Sequence, residues 1–266
     1  MKKIFFLVGL PRAGNTLLGS ILNQNPDIAV TANSITPDIL YNIFQIKNLN
    51  SFKNYPDHKS FNNIAHRVFD LYYKDWNYRY IIDRSCWSTP DNLKILKELG
   101  KDIKIIVLVR DIIEVLASFI LWSRNQKDTF ISRYNVKTLE EKCERLMQRE
   151  GLLSKSLMAV NHLFLPENKN LYHLIKYNQL VEDPKRTIEG IYDYLKISKF
   201  KHRYVNLNQF EVNGIKYDDT HLGEGLHTIK SKKISKSTYN AYDLIPKSII
   251  EKYRKLNENL QRQRHS

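Results

Sequence analysis

Cysteine is nearly absent. Cys86 and Cys143 stand far apart in a chain of 266 residues, which excludes a disulfide framework and a paired zinc-ligand motif, and both are expected to be buried, reduced thiols. The eight histidines show no metal-ligand spacing. No stretch reaches the roughly 18 uncharged apolar residues that a membrane span requires. Met1-Lys2-Lys3 and the apolar run to Leu10 imitate a signal peptide, but the run is short, Pro11-Arg12 follows, and a small-residue cleavage site is lacking. The segment reads as a first strand, and the expectation is a soluble, cytoplasmic protein. No internal repeat or low-complexity tract occurs, which excludes a repeat array. Carboxylates are the scarce charge: 28 Asp and Glu against 42 Lys and Arg leave a net +14. Such a surface attracts nucleotides, acidic glycans or peptides, nucleic acid or anionic membrane. Half of that excess lies in residues 230–266, with ten basic against three acidic side chains.

The most informative absence is one lysine. Lys3 to Val8 is an apolar, β-branched and aromatic run, and it leads into Gly9-Leu10-Pro11-Arg12-Ala13-Gly14-Asn15-Thr16 and the helical pattern Leu17, Leu18, Ile21, Leu22. The spacing is that of a nucleotide-triphosphate P-loop with Asn15 in the lysine position. Glycines let backbone N–H groups curl around an anion, and the following helix N-terminus adds a favourable dipole. The ammonium that reaches the outer phosphates of ATP or GTP is lost. Arg12, inside the loop, is available to replace that charge. The loop is built for a phosphate-like group other than a magnesium-bound triphosphate.

Along the chain, strands alternate with helices. After the loop helix (about 15–24) and the Asn25-Pro26-Asp27 turn, a short segment from Ile28 to Thr31 precedes a helix near Pro37 to Ile46. Residues 47–59 are loop-like, and Phe61, Ile64, Val68, Leu71 and Tyr72 recur at helical spacing. Tyr78 to Asp83 reads as a strand, and Thr89-Pro90 caps a helix ending near Gly100. Ile103 to Val109 is a strand buried on both faces, followed by a helix through Trp122. Thr138-Leu139-Glu140-Glu141 is a capping box that opens a long helix to about Leu163. Leu171 to Tyr177 is a strand and Pro184 to Leu195 a helix. The expected fold is α/β, a doubly wound parallel sheet of P-loop type flanked by helices, as one domain over 1–266. Residues 201–240 lack a sustained period and are expected to form a lid, with a C-terminal helix over about 246–262.

Ligands of such sheets bind beyond the carboxyl ends of the strands. Those ends carry Arg12 with the neighbouring loop amides, Arg84, Arg110 and Tyr177, and Ser118 lies two helical turns beyond Asp111 on the same face. Three arginines converging on one edge would be costly without an anionic ligand to neutralise them.

The stretches Leu10-Pro11-Arg12-Ala13-Gly14-Asn15-Thr16-Leu17-Leu18, Asn25-Pro26-Asp27-Ile28, Val107-Leu108-Val109-Arg110-Asp111 with Ser118, and Tyr177-Asn178-Gln179-Leu180-Val181-Glu182-Asp183-Pro184 resemble the sulfotransferases that use 3′-phosphoadenosine 5′-phosphosulfate (PAPS). The likeness is nearest to the tyrosylprotein sulfotransferase branch and spans residue 3 to about 240. It implies a transferase that moves a sulfonate to a hydroxyl acceptor (tyrosine, carbohydrate or small-molecule alcohol), with no metal and no nucleic-acid partner. It assigns Arg12, Gly14, Asn15 and Thr16 to the 5′-phosphosulfate, Arg110 and Ser118 to the 3′-phosphate, and Tyr177 to the adenine, with Ala13 and Leu17 also cofactor-binding. Arg84 falls where those enzymes have a lysine that supports the transferring sulfonate. The basic loop from Lys230 to Lys236 resembles the late segment that closes over the 3′-phosphate, with Lys236 the foremost candidate.

The chain departs from that family at the base. Related enzymes place a glutamate a few residues after the Asn-Pro-Asp turn, whereas Val30 to Asp38 contains none. Asp38 and Asp83 are the candidate bases, and His221 and Glu224 lie in the late loop. Two other classes share parts of the pattern, a P-loop kinase or NTPase and a non-catalytic basic nucleic-acid-binding protein. Asn15 argues against the first, and the lack of a recognised module against the second.

Overall fold

The computed structural model describes residues 2–263 except 125, 127 and 230–233. In chain order the elements are β1 (Lys3–Gly9), α1 (Asn15–Leu22), β2 (Ile28–Val30), α2 (Thr36–Gln45), α3 (Asn50–Asn54), α4 (His58–Tyr72), β3 (Tyr80–Arg84), α5 (Pro90–Glu98), β4 (Ile105–Val109) and α6 (Ile112–Arg124). There follow α7 (Leu139–Met147), α8 (Ser154–Leu163), β5 (Tyr172–Lys176), α9 (Tyr177–Glu182), α10 (Pro184–Leu195), β6 (Glu211–Val212), β7 (Ile215–Lys216), α11 (Ala241–Leu244) and α12 (Lys247–Arg262).

The first five strands form one sheet in the order β2-β3-β1-β4-β5, with every pair parallel. All five residues of β4 are buried, as a β-branched run covered on both faces requires. The α/β expectation is met. The order matters for function: β1 lies between β3 and β4, so the loop leaving Gly9 is flanked by Arg84 at the end of β3 and Arg110 beyond the end of β4.

Local chemistry starts the helices where the sequence indicates. Thr138 and Glu141 complete a capping box at α7. Thr89 precedes Pro90 at α5, and Asp183 accepts from the Arg186 amide at α10. The Asp111 carboxylate accepts from the amides of Ile113 and Glu114 at the start of α6 through one oxygen. Through the other it takes hydrogen bonds from Tyr242 and Asn257, tying α12 to the end of β4.

The long helix expected over 138–163 is two. Gln148 turns extended, at φ −63° and ψ 167°, and the chain reverses tightly before α8. There the Leu153 amide bonds back to the Leu146 carbonyl at 3.1 Å and the Leu153 side chain is fully buried. A Cβ at Gly151 would lie 2.4 Å from the Arg145 carbonyl oxygen, so only glycine admits this reversal. The β5 strand stops at Lys176, and Tyr177 opens α9, a helix the hydrophobic pattern did not separate from its neighbours. Residues 47–59 hold the short helix α3. Within the aperiodic late stretch, the β6–β7 ribbon forms and Tyr217 and Leu226 pack against the sheet's carboxyl edge. No helix among the described residues is long and apolar enough to cross a membrane.

Candidate active site

The loop between β1 and α1 is shaped by two left-handed residues, Arg12 at φ 63° and Gly14 at φ 96°. Alternating left- and right-handed backbone turns successive N–H groups toward one point, which makes an anion nest. Gly14 is also the N-cap of α1 and supplies no side-chain cap, so the first-turn amides of the helix are left for a ligand. Below the loop, the Asn15 amide donates to the Leu10 carbonyl at 2.7 Å and is buried. A Cβ on Gly9 would sit 2.0 Å from Asn15 Oδ1. Asn15 therefore fastens the loop from beneath, where a P-loop lysine would reach into it. Ala13 is fully buried, whereas Thr16 and Leu17, in the first turn of α1, are half-buried.

Arg12 projects from this loop to neutral oxygens. Its Nε donates to Ser118 Oγ at 3.1 Å and its Nη1 to the Leu226 carbonyl. Burial, and then the like charge of Arg110, lower its proton affinity from the ordinary arginine value. Arg110 is itself only 5% exposed. It donates to Glu114 at 2.8 Å, to the Arg12 carbonyl at 3.0 Å and to Ser237 Oγ at 2.9 Å. Its guanidinium lies over the Tyr177 ring at 4.1 Å, and the same ring closes on Gly14. Arg12, Arg110, Ser118, Tyr177 and the loop thus form one cluster.

Arg84 completes it from the other side. Its Nη1 donates to the Ala32 carbonyl and, at 2.8 Å, to the Tyr217 hydroxyl. Tyr217 stacks on His227 with centroids 3.8 Å apart, and Leu226, next in sequence, holds Arg12. Among the described residues neither Arg12 nor Arg84 has a carboxylate partner, and the single ion pair of Arg110 is with Glu114.

Other sequence candidates stand apart. Asp83 is completely buried, with both oxygens engaged: Oδ1 accepts from Trp87 at 3.0 Å, and Oδ2 from Thr36 and Tyr73 at 2.6 Å and Ser34 at 3.1 Å. Burial raises its carboxyl proton affinity against the lowering effect of those bonds and pushes the Tyr73 phenol far up. Asp38 is exposed and pairs with Lys155 at 3.1 Å. Lys236 is exposed and pairs with Glu182, and Lys230 lies outside the described residues. His221 and Glu224 expose their side chains and contribute carbonyls, to Arg133 and Trp122. Ser237 on Arg110, Tyr217 on Arg84, and His227 with its Asp219 partner also border this cluster, and nothing local in the sequence marks them. The only available signal was their position in the aperiodic late segment.

The model of the Sulfotransferase family matches residues 5–201, and the chain belongs to that family. It is therefore a transferase enzyme, a sulfotransferase. No curated protein matches it in sequence. Among solved structures, the mouse sulfotransferase SULT7A1 complexed with PAP has a TM-score of 0.60 at 14% identity, covering 99% of this chain and 86% of that one. A sulfotransferase domain from the curacin biosynthetic pathway has a TM-score of 0.57 at 15% identity, covering 96% and 98%. At such identities the likeness is one of fold, and it extends over the whole chain.

Proposed function

We propose that this chain transfers the sulfonate of PAPS to a hydroxyl oxygen, gripping the nucleotide at its two anionic ends with the arginines around the β1–α1 loop. The observation that carries this reading is that, among the described residues, Arg12 and Arg84 hydrogen-bond to neutral oxygens alone, within a cluster of three guanidiniums. Such a cluster is costly without an anion. Arg12 and the amides of residues 13–17 suit the 5′-phosphosulfate, Arg110 with Ser118 suits the 3′-phosphate, and Tyr177 suits the adenine. Ser237, on Arg110, joins the 3′-phosphate group in place of Lys236. A kinase reading is disfavoured by Asn15, whose side chain is buried under the loop.

Sulfonate transfer resembles loose phosphoryl transfer, with in-line attack and negative charge growing on the bridging oxygen of the leaving group. Arg12 and the loop amides would stabilise that charge, and Arg84 the sulfonate itself. Residues 201–229 with 234–240 act as a lid: the Leu226 carbonyl and the Tyr217 hydroxyl already rest on Arg12 and Arg84.

The test is a labelled-PAPS assay against phenols, tyrosyl peptides, sugars and aliphatic alcohols, alongside thermal melting with adenosine 3′,5′-bisphosphate. Sulfonated product and a raised melting temperature are expected. A melting temperature indifferent to the bisphosphate overturns the nucleotide assignment.

A further inference from the structure

The glutamate of related enzymes is missing, and Asp38 and Asp83 are engaged elsewhere. A different pair of titratable groups stands between Arg12 and Arg84. Resting on the sulfonate-transfer reading above, we propose that His227 is the general base of this chain, its Nε2 accepting the acceptor hydroxyl's proton while Asp219 orients the ring.

The geometry is that of an oriented base. His227 Nδ1 lies 2.5 Å from Asp219 Oδ1, and the His227 backbone N–H donates to Oδ2 of the same carboxylate at 3.0 Å. This two-point grip sets the proton on Nδ1 and leaves the lone pair on Nε2. Nε2 has no hydrogen-bond partner among the described residues, and the side chain keeps 20% of its surface exposed. The ring lies face to face on Tyr217, at an interplanar angle of 3°, and the Tyr217 hydroxyl donates to Ala32 and accepts from Arg84. The imidazole is thereby held beside both cations suited to the sulfonate.

The charged and titratable groups facing His227 are Asp219, Arg84 and Arg12, with the Tyr217 phenol stacked on it. Burial lowers its proton affinity, Asp219 partly restores it, and the two arginines lower it by smaller amounts. A neutral imidazole at neutral pH is the form a base requires. The lid has fastenings besides this pair. Trp122 Nε1 donates to the Glu224 carbonyl at 3.1 Å, the Phe130 amide to Leu222 at 3.0 Å, and Gln209 pairs with the Ile229 backbone in both directions.

In the step, the acceptor oxygen forms a bond to sulfur as the bridging S–O bond breaks. The hydroxyl proton passes to His227 Nε2, and the electron pair of the broken bond stays on the 5′-phosphate oxygen of the bisphosphate. The imidazolium then returns its proton to water.

The experiment follows release of adenosine 3′,5′-bisphosphate from PAPS across pH, with water alone and with para-substituted phenols, for wild type, His227→Gln and Asp219→Asn. Calorimetry of bisphosphate binding, thermal melting and an NMR titration of the His227 ring accompany it. His227→Gln is expected to bind the bisphosphate and melt like wild type. It should lose about 10²–10⁴-fold in turnover with weakly acidic phenols, far less with 4-nitrophenol, and its acid limb. Asp219→Asn should shift the acid limb and the ring titration to lower pH together. Equal losses for all phenols, an unchanged acid limb, or a wild type that binds the bisphosphate yet turns over with no acceptor each overturn the assignment. A wild type that fails to bind the bisphosphate overturns the nucleotide reading instead.

Discussion

The Arg110 guanidinium rests on the face of the Tyr177 ring, 4.1 Å from its centroid, joining the end of β4 to the start of α9 across the mouth of the β1–α1 loop. The stack holds a cation in place while its N–H groups stay directed at the loop carbonyl and Ser237.

Arg110→Ala should weaken adenosine 3′,5′-bisphosphate binding about 10–100-fold, since a charge-assisted hydrogen bond contributes roughly 1.5–3 kcal/mol. Adenosine 5′-phosphate, lacking the 3′ group, should lose much less. Calorimetry with both nucleotides checks this, and equal losses for the two would remove Arg110 from the 3′-phosphate.

Arg84→Ala should lower kcat about 10²–10³-fold, as expected for a donor aimed at charge that develops in the transition state. Affinity for the bisphosphate, which has no sulfonate, should hardly change. A variant that loses product affinity and turnover in step contradicts this division of labour.

Asp83→Ala should cost about 3 kcal/mol or more, because it leaves the buried Trp87, Thr36, Tyr73 and Ser34 donors unpaired. Tyr73→Phe should cost about 1–2 kcal/mol. Urea unfolding measures both. Lost turnover at full stability would return Asp83 to the reaction.

Gly9→Ala forces a methyl group onto Asn15 Oδ1, 2.0 Å away. It should destabilise the fold by roughly 1–3 kcal/mol and abolish nucleotide binding by dislodging the loop's lower brace. Denaturant midpoints and bisphosphate melting shifts separate the two effects, and unaltered binding would show that the brace is dispensable.

Burial lowers the proton affinity of His202, whose Nε2 meets the Tyr192 hydroxyl at 2.9 Å. Its neutral form is favoured by folding, so its contribution is complete above the unfolded value of about 6.5 and is lost as pH falls through the lowered folded value. Asp83, with a raised folded value, acts in the opposite sense. Melting temperature should fall below about pH 6.5 in wild type, and less steeply in His202→Gln. Parallel slopes for the two proteins would sink the assignment.

Much of this was legible because the signals are local. Gly9 to Thr16 declares a strand-to-helix turn, Thr138 with Glu141 a helix start, and Ile103 to Val109 a doubly covered strand, observed over Ile105–Val109. The break before α8 was not legible, because Leu153 leaves the helical pattern to enter a core made by distant elements. In sequence Asp83 is a strand-end carboxylate and a candidate base. Tyr73 and Trp87 bury it, and both reach it only after α4 and the turn beyond β3 have packed.

The amino-acid order alone determined the alternation of strands and helices, the lysine-free phosphate loop and the basic residues at the strand ends, since each depends on neighbours a few positions away. The tertiary structure decided that β1 lies between β3 and β4, which brings Arg84 and Arg110 to either side of Arg12. It also brought the Leu226 carbonyl to Arg12 and the Tyr217 hydroxyl to Arg84, with His227 stacked on the Tyr217 ring. Contacts between residues a hundred or more positions apart depend on how the layers pack, and no local pattern encodes them.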